Sequence, residues 1–271
     1  MSATPDVSVI IPTFERPAMA AAAARSVLAQ RGVSVEVHVL DDSPEGSAKD
    51  AVAQIADSRV SYRKRRVPSG GYPALVRNEG AAAATGRYLH FLDDDDQAEP
   101  GAYAALVGAL DADVSRGVAF GLVTPFGDDG DAVARERTYF ESGAARVRRA
   151  ARLRSRRWMA TNLLFRATPI INSACMLRRE CFEPLGGYDG AMSVIEDVDF
   201  FLRAIRRFDV VFIDQPVVRY RVGHTSLMHG PRGESDVASS WRRMHEKYRR
   251  EYGALETSVL HILSRTALRW L

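Results

Sequence analysis

Four consecutive aspartates, Asp93-Asp94-Asp95-Asp96, follow the apolar run Leu89-His90-Phe91-Leu92. Adjacent ionised carboxylates repel by about 4 kcal/mol per pair at ~4 Å and an effective dielectric of ~20. A bound divalent cation relieves that repulsion. Hard carboxylate oxygens suit Mg2+ or Mn2+, ions that commonly share their coordination with substrate phosphates. An exposed acidic turn without a ligand is the plainer alternative. A second acidic pair, Asp41-Asp42, closes the segment VSVEVHVL. There it either accepts hydrogen bonds from a base or ribose, or caps a turn. A third group, Glu196-Asp197-Val198-Asp199, follows Ser193. Ser193 and Glu196 have capping-box spacing, and acids in a first helical turn complement the helix dipole. That accounts for Glu196 and Asp199 but not for Asp197, which reads as a general base held at a helix start. His224, in a polar segment after a strand, is a candidate metal ligand or phosphate donor. His229 is its rival, and a purely structural histidine is the alternative to both.

Positive charge is concentrated elsewhere. Residues 146–157 hold seven arginines and no acid, although the whole chain carries only +3. The run is either a solvated face or a site for phosphate or an anionic lipid surface. No aromatic residues interleave with it, and no helix-turn-helix or zinc spacing occurs, so nucleic acid is not an expected partner. No glycine-rich GxGxxG follows the first strand and no GxxxxGK[ST] occurs, which removes the main support for NAD binding and P-loop NTPases.

These groups must be positioned by something. Val7 to Ile11 reads as a buried strand, and Pro17 opens an alanine-rich helix to about Gln30. A strand over 33–40, a helix over about 47–56, a short strand near 60–63, a helix over about 74–85 and a strand over 87–92 follow. Strand–helix repetition with near-continuous apolar strands predicts an α/β fold: a Rossmann-like open, mostly parallel sheet with helices on both faces. Thr13-Phe14-Glu15, Asp41-Asp42-Ser43 and Asp93–Asp96 each fall at a strand's carboxyl end, where such sheets bind ligands. Beyond residue 100 the spacing predicts a helix over 100–110, strands over 118–126, 169–177 and 209–213, and helices over 235–252 and 255–271. The Gly-, Asp- and Arg-rich stretch 127–160 reads as a mobile loop with some helix. The expected organisation is 1–100 as one half of a domain, 101–226 as the other, and 227–271 as a C-terminal helical extension.

With 271 residues, 46% of them hydrophobic, the chain can close a large core. No apolar run reaches the roughly 18–20 residues of a bilayer span. The first six residues lack a basic region, and Cys175 and Cys181 read as free thiols, so a soluble cytoplasmic protein is expected. Leu255, Val259, Ile262, Leu263 and Leu271 share helical spacing. They are expected to pack on the domain or on a second copy, or, aided by Arg265 and Arg269, to rest on a membrane.

In this order, the motifs resemble the family 2 glycosyltransferases of the GT-A fold. Val7 to Arg16 is similar to that family's opening strand and nucleotide loop, Asp41-Asp42-Ser43 to its acid pair and Arg77-Asn78-Glu79-Gly80 to its RNxG helix. Phe91 to Asp96 followed by Pro100 resembles its DXD segment, Gly186-Gly187-Tyr188-Asp189 its acceptor-side loop and Glu196-Asp197 its ED motif. The resemblance implies an inverting enzyme that moves one sugar from a nucleotide-diphosphate sugar to an acceptor hydroxyl, with Asp197 as base. It implies donor contacts at Pro12, Thr13, Glu15, Asp41, Asp42, Arg77, Asn78, Asp93 and Asp94. Mn2+ or Mg2+ is expected on Asp93, Asp95 and His224, and acceptor contacts at Gly187, Tyr188 and Glu196. The acceptor stays open among a glycan, a lipid-linked saccharide and a small molecule. Two departures stand out: Glu15 replaces a frequent asparagine, and Ser-Pro follows Asp42 where Gly-Ser is common. The QxxRW motif of processive members is missing, since Thr266-Ala267-Leu268-Arg269-Trp270 lacks the glutamine, so single transfer is expected. A sugar nucleotidyltransferase and a catalytically silent sugar-nucleotide-binding scaffold are the rival readings.

Overall fold

A computed structural model describes residues 4–153, 155–165, 170–223 and 233–266. The chain begins with β1 (Val7–Thr13), α1 (Pro17–Leu28), β2 (Val35–Asp41), α2 (Lys49–Ala53), β3 (Val60–Lys64) and α3 (Pro73–Ala83). Next come β4 (Tyr88–Phe91), the two-residue β5 (Gln97–Ala98), α4 (Ala102–Asp111) and β6 (Arg116–Phe126). Helices α5 (Gly130–Leu153) and α6 (Arg156–Phe165) lead to β7 (Cys175–Arg178) and α7 (Arg179–Phe182). The rest is α8 (Glu196–Arg207), β8 (Asp209–Arg221), α9 (Gly233–Tyr252) and α10 (Ala254–Thr266).

One eight-stranded sheet runs β3-β2-β1-β4-β7-β6-β8-β5. Six strands share a direction, and β7 and β5 oppose it. The mostly parallel sheet is thus as expected, and β1 is buried on both faces because helices cover both. One face packs Val9, Val37 and Val39 with Val27 and Leu106, and the other packs Ile10, Leu89 and Phe91 with Val76 and Phe200. Helix α3 lies so close to β1 that a Cβ on Gly80 would come within 2.4 Å of Ile10 Cγ2. That contact requires glycine and sets where the neighbouring Arg77 points.

Four expectations need correction. Of the stretch 127–160, expected as a mobile loop with some helix, residues 130–153 and 156–160 are helical, because the good helix formers Ala, Arg and Glu outweigh the scattered glycine and aspartate. The strand expected over 169–177 starts only at Cys175: Asn172–Ala174 is a 3-10 turn and 166–169 lie outside the described residues. The strand expected over 209–213 continues to Arg221, held by its parallel pairing with β6. In α10 it is Leu260 that packs inward, with Leu263 partly covered, in a cluster with Leu163, Leu202, Ile205, Met244 and Tyr248. Leu255, Val259 and Ile262 stay exposed at 80%, 42% and 59%. Both cysteines are free and buried. Among the described residues no helix is long and apolar enough to cross a membrane.

Candidate active site

The acidic run leaves β4 directly above the carboxyl end of β1. Thr13 Oγ1 donates to Asp94 Oδ2 at 2.7 Å, and Arg16 Nη1 reaches Asp94 Oδ1 at 3.2 Å and Asp95 Oδ2 at 2.6 Å. Burial pushes the Asp94 pKa up to about 6 with help from Asp95, against the pull of Thr13 and Arg16. Asp96 is fully enclosed, and burial, with Asp95 and Asp93 adding to it, raises its pKa well above the ordinary aspartate value. Its Oδ1 accepts the Arg221 N–H at 3.0 Å and so pins the end of β8 to the run. Underneath, Ser173 Oγ accepts the Asp93 N–H at 3.1 Å and Asn172 Nδ2 donates to the Phe91 carbonyl at 3.1 Å. His90 supports the same turn: Nε2 faces the Ser173 carbonyl at 2.8 Å, so Nδ1 accepts from the Tyr103 hydroxyl at 2.6 Å. Burial holds the His90 pKa down at about 4, consistent with that neutral ring.

Arg77 joins this run to the start of α8. Its Nη2 donates to Asp93 Oδ1 at 2.6 Å, its Nη1 donates to Glu196 Oε1, and its guanidinium lies 5.6 Å from the Tyr188 ring centroid. Burial opposes the Arg77 charge, yet Asp93 and Glu196 more than offset it and the pKa is raised. Burial likewise raises Glu196, against the pull of Arg77. Asp197, the next residue, is only partly covered, and Oδ1 accepts the Val198 N–H at 2.8 Å. Burial raises its pKa, Arg77 pulls it down and Asp93 adds to the rise. Helix α8 does not start on a capping box. Ile195 occupies the N-cap with φ +52°, a left-handed conformation unusual for a β-branched residue, and Ser193 Oγ donates to Asp236 of α9 at 3.0 Å. Such strain clusters at functional sites, and here it aims the first turn of α8 at the acidic run.

Several expected contacts have other duties. Asp41 is fully buried: it accepts the Ser43 and Ala48 N–H groups at 2.9 and 2.8 Å and the Tyr62 hydroxyl at 3.0 Å, so it builds the turn before α2. Asp42 accepts Arg65 Nη1 at 2.9 Å, and the Ser69 N–H and Oγ at 2.7 and 2.5 Å, holding the 65–72 loop over the end of β2. Asn78 exchanges two hydrogen bonds with the Tyr188 backbone, at 2.8 and 2.9 Å. A Cβ on Gly187 would meet Asn78 Oδ1 at 2.7 Å at a φ of +65°, so this glycine serves packing. Tyr188 is 2% exposed, donates its hydroxyl to Asn172 Oδ1 at 2.8 Å and stacks on Phe200. Neither Tyr188 nor the buried Glu196 presents a free surface to an acceptor. Pro12 and Glu15 flank Thr13, with Glu15 exposed at φ +54°. Asparagine tolerates that conformation better than most residues, which explains its frequency there as a backbone matter. Asp189 pairs with Arg243 and Lys247 of α9 at 2.8 and 2.9 Å, and Lys247 also reaches Asp199 at 2.8 Å. His224 lies outside the described residues.

Sequence reasoning did not assign roles to Arg16, Arg65, Ser69 or the 172–173 turn. Arg16 had a signal, since four adjacent acids need a nearby cation and it lies three residues past Thr13. Among the described residues no three His, Cys, Asp or Glu side chains are already gathered as a metal cage. The donor chemistry nevertheless suits a hard cation. The Asp93 and Asp95 side chains keep 32% and 16% exposure at the edge of the run, each now neutralised by an arginine.

An open mixed sheet with its acidic groups gathered beyond β1 and β4 is the GT-A architecture. S. aureus TarS 1-349 in complex with UDP-GlcNAc shares it at a TM-score of 0.69 and 14% identity, over 95% of this chain and 70% of that one. The mannosyltransferase PcManGT from Pyrobaculum calidifontis, in complex with GDP-Man and Mn2+, does so at 0.66 and 20%, over 97% and 70%. The chain belongs to glycosyl transferase family 2, whose profile matches residues 8–186. It is 33% identical to the GalNAc(5)-diNAcBac-PP-undecaprenol beta-1,3-glucosyltransferase of Campylobacter jejuni over 105 residues, 38% of this chain and 34% of that protein. The matches span about a third of the length of such curated relatives.

Proposed function

We propose that this chain transfers one sugar from a nucleoside-diphosphate sugar to an acceptor hydroxyl with inversion at the anomeric carbon. The observation that carries the reading is the Arg77 bridge, which ties Asp93 of the acidic run to Glu196 and sets Asp197 beside both. Residues 1–100 are assigned to the donor half, 101–226 to the acceptor half and 227–271 to an extension whose described part is α9 and α10. The donor's base lies near Thr13 and Asp42, beside the 65–72 loop that Asp42 holds, and its diphosphate faces Asp93–Asp95. Asp93 and Asp95 would hold Mn2+ or Mg2+, which when bound supplies Lewis-acid neutralisation of the departing diphosphate. Support comes from the neighbours in complex with UDP-GlcNAc and with GDP-Man and Mn2+.

In the transfer step the acceptor oxygen bonds to the anomeric carbon as the bond to the diphosphate oxygen breaks. Asp197 takes the acceptor's proton, and the electron pair leaves with the diphosphate. Arg77 takes no proton. It keeps Asp93 and α8 in register and lowers the cost of a carboxylate at Asp197. Because burial raises the Asp197 pKa and the base works only when ionised, activity should fall as the pH drops, at a pH above the ordinary aspartate value of about 3.9. A pH profile of kcat/KM checks this. An acid limb at or below the ordinary value would remove Asp197 from the role.

A lipid-linked saccharide is the acceptor we favour, because the Campylobacter jejuni relative is named for an undecaprenol-linked one. The exposed Leu255, Val259 and Ile262 of α10 support contact with a membrane surface, with a second copy as the competing occupant. Co-sedimentation with anionic vesicles is expected, and should be lost when these three residues become glutamate. A dimer by light scattering with no vesicle binding would assign the stripe to a second copy.

A further inference from the structure

Away from the acidic run, the described residues line a second, partly open space. A cavity of about 420 Å³ lies between the opening residues of β6 and β8, the C-terminal half of α5 and α6. Its walls are mostly apolar, with Phe120, Met159, Leu163, Ile170, Ile205 and Phe212, and Asn162 and Ser155 also line it. Its rim is charged, with Arg116, Arg146 and Arg156 against Asp113 and Asp209. Arg156 is committed to Asp209, Asp113 accepts the Ser115 N–H at 2.9 Å, and Arg116 donates to the Ala109 carbonyl at 2.8 Å. Three guanidiniums against two carboxylates leave an excess of positive charge, and Arg146 stands half-buried at the rim. Asp96 grips β8 at Arg221, which pairs with Phe126, whereas the cavity reaches only as far as Phe212, which pairs with Phe120, about 20 Å back along β6 at ~3.3 Å per residue. The space is therefore separate from the candidate active site.

Pockets of roughly 300–1,000 Å³ with apolar walls and a few placed polar groups are the ordinary dimensions of small-ligand sites. Left empty, such walls forfeit dispersion contacts. The apolar depth suits a hydrocarbon chain, and the basic rim suits an anionic head. We propose that this cavity binds an anionic amphiphile, its chain against Phe120, Leu163 and Phe212 and its phosphate or carboxylate at Arg146. One of the run's seven arginines, Arg146, thus acquires a use that the candidate active site does not give it. The inference does not depend on the proposed transfer reaction.

Calorimetric titration of the full chain with farnesyl phosphate, dodecanoate and farnesol tests it, with thermal melts to confirm that the variants fold. Saturable binding of at least one anionic probe is expected, with farnesol at least tenfold weaker than farnesyl phosphate. Farnesyl phosphate alone would identify a prenyl phosphate ligand, and dodecanoate alone a fatty acid. Arg146→Glu should weaken the anionic probe at least tenfold and leave farnesol unchanged. Met159→Trp, which fills the cavity, should weaken every probe, and if it does not fold the Arg146 variant decides alone. Failure of all three probes to saturate, or affinities unchanged in Arg146→Glu, would overturn the proposal.

Discussion

Asp197→Asn should lower the transfer rate by about 10²–10⁴-fold and leave nucleotide affinity within about twofold. The substitution keeps the shape of the side chain. An amide oxygen can still accept the Val198 N–H that the carboxylate accepts at 2.8 Å. What is lost is an oxygen able to take the acceptor's proton. Neighbouring ion pairs stay intact, because Arg77 is engaged by Asp93 and Glu196. Single-turnover transfer, alongside calorimetric binding of the nucleotide, separates the two quantities. A variant with near wild-type turnover would end the assignment of the base, and one that had lost nucleotide affinity would place Asp197 at the donor instead.

Arg77→Met is expected to cost about 3–5 kcal/mol of stability at neutral pH, the usual price of a buried charge whose partner is removed. Asp93 can rehydrate from its position at the edge, but Glu196, 4% exposed, cannot. The penalty should depend on pH with a definite sign. Burial already holds the folded-state pKa of Glu196 above its unfolded value of about 4.3. Such a group favours the folded state most below the unfolded pKa, and that advantage is lost as the pH rises through the folded one. Without Arg77 the folded pKa climbs further, so the difference from wild type should be small near pH 4 and grow towards pH 8. Urea melts across that range measure it. Arg77→Met combined with Glu196→Leu should recover most of the stability, since an apolar pair replaces a buried ion pair without leaving a charge behind. A penalty independent of pH, or a double variant no more stable than the single one, would mean that the bridge is not what holds α8.

The first hundred residues were legible because their signals are local. Strands β1, β2 and β4 are short apolar runs that end in polar groups, and a parallel sheet gathers those ends whatever the loops do. Partners distant in sequence were not legible. Nothing in Arg77-Asn78 states that one side chain will span to Glu196, 119 residues on, and the other will clamp the Tyr188 backbone. Asp41 and Asp42 look equivalent as letters, yet the pleat turns one into a turn and the other towards the 65–72 loop. Ser193 matched a capping box, but packing against α9 took its hydroxyl and left Ile195 strained at the helix start. The stretch from 127 held more helix than its glycine and aspartate residues suggested, because packing of α5 on β6 and β8 adds to the propensity of its alanines and arginines.

The central claim is that the carboxylates beyond β1 and β4 form a nucleotide-sugar site. Calorimetric titration of UDP, GDP and dTDP, with and without Mn2+, on the wild type and on Asp95→Ala, tests it most directly. One nucleoside diphosphate should bind at least tenfold more tightly with Mn2+ than without, and the gain should vanish in Asp95→Ala. Binding of none of the three under either condition would contradict the account and leave the chain as a silent member of its family.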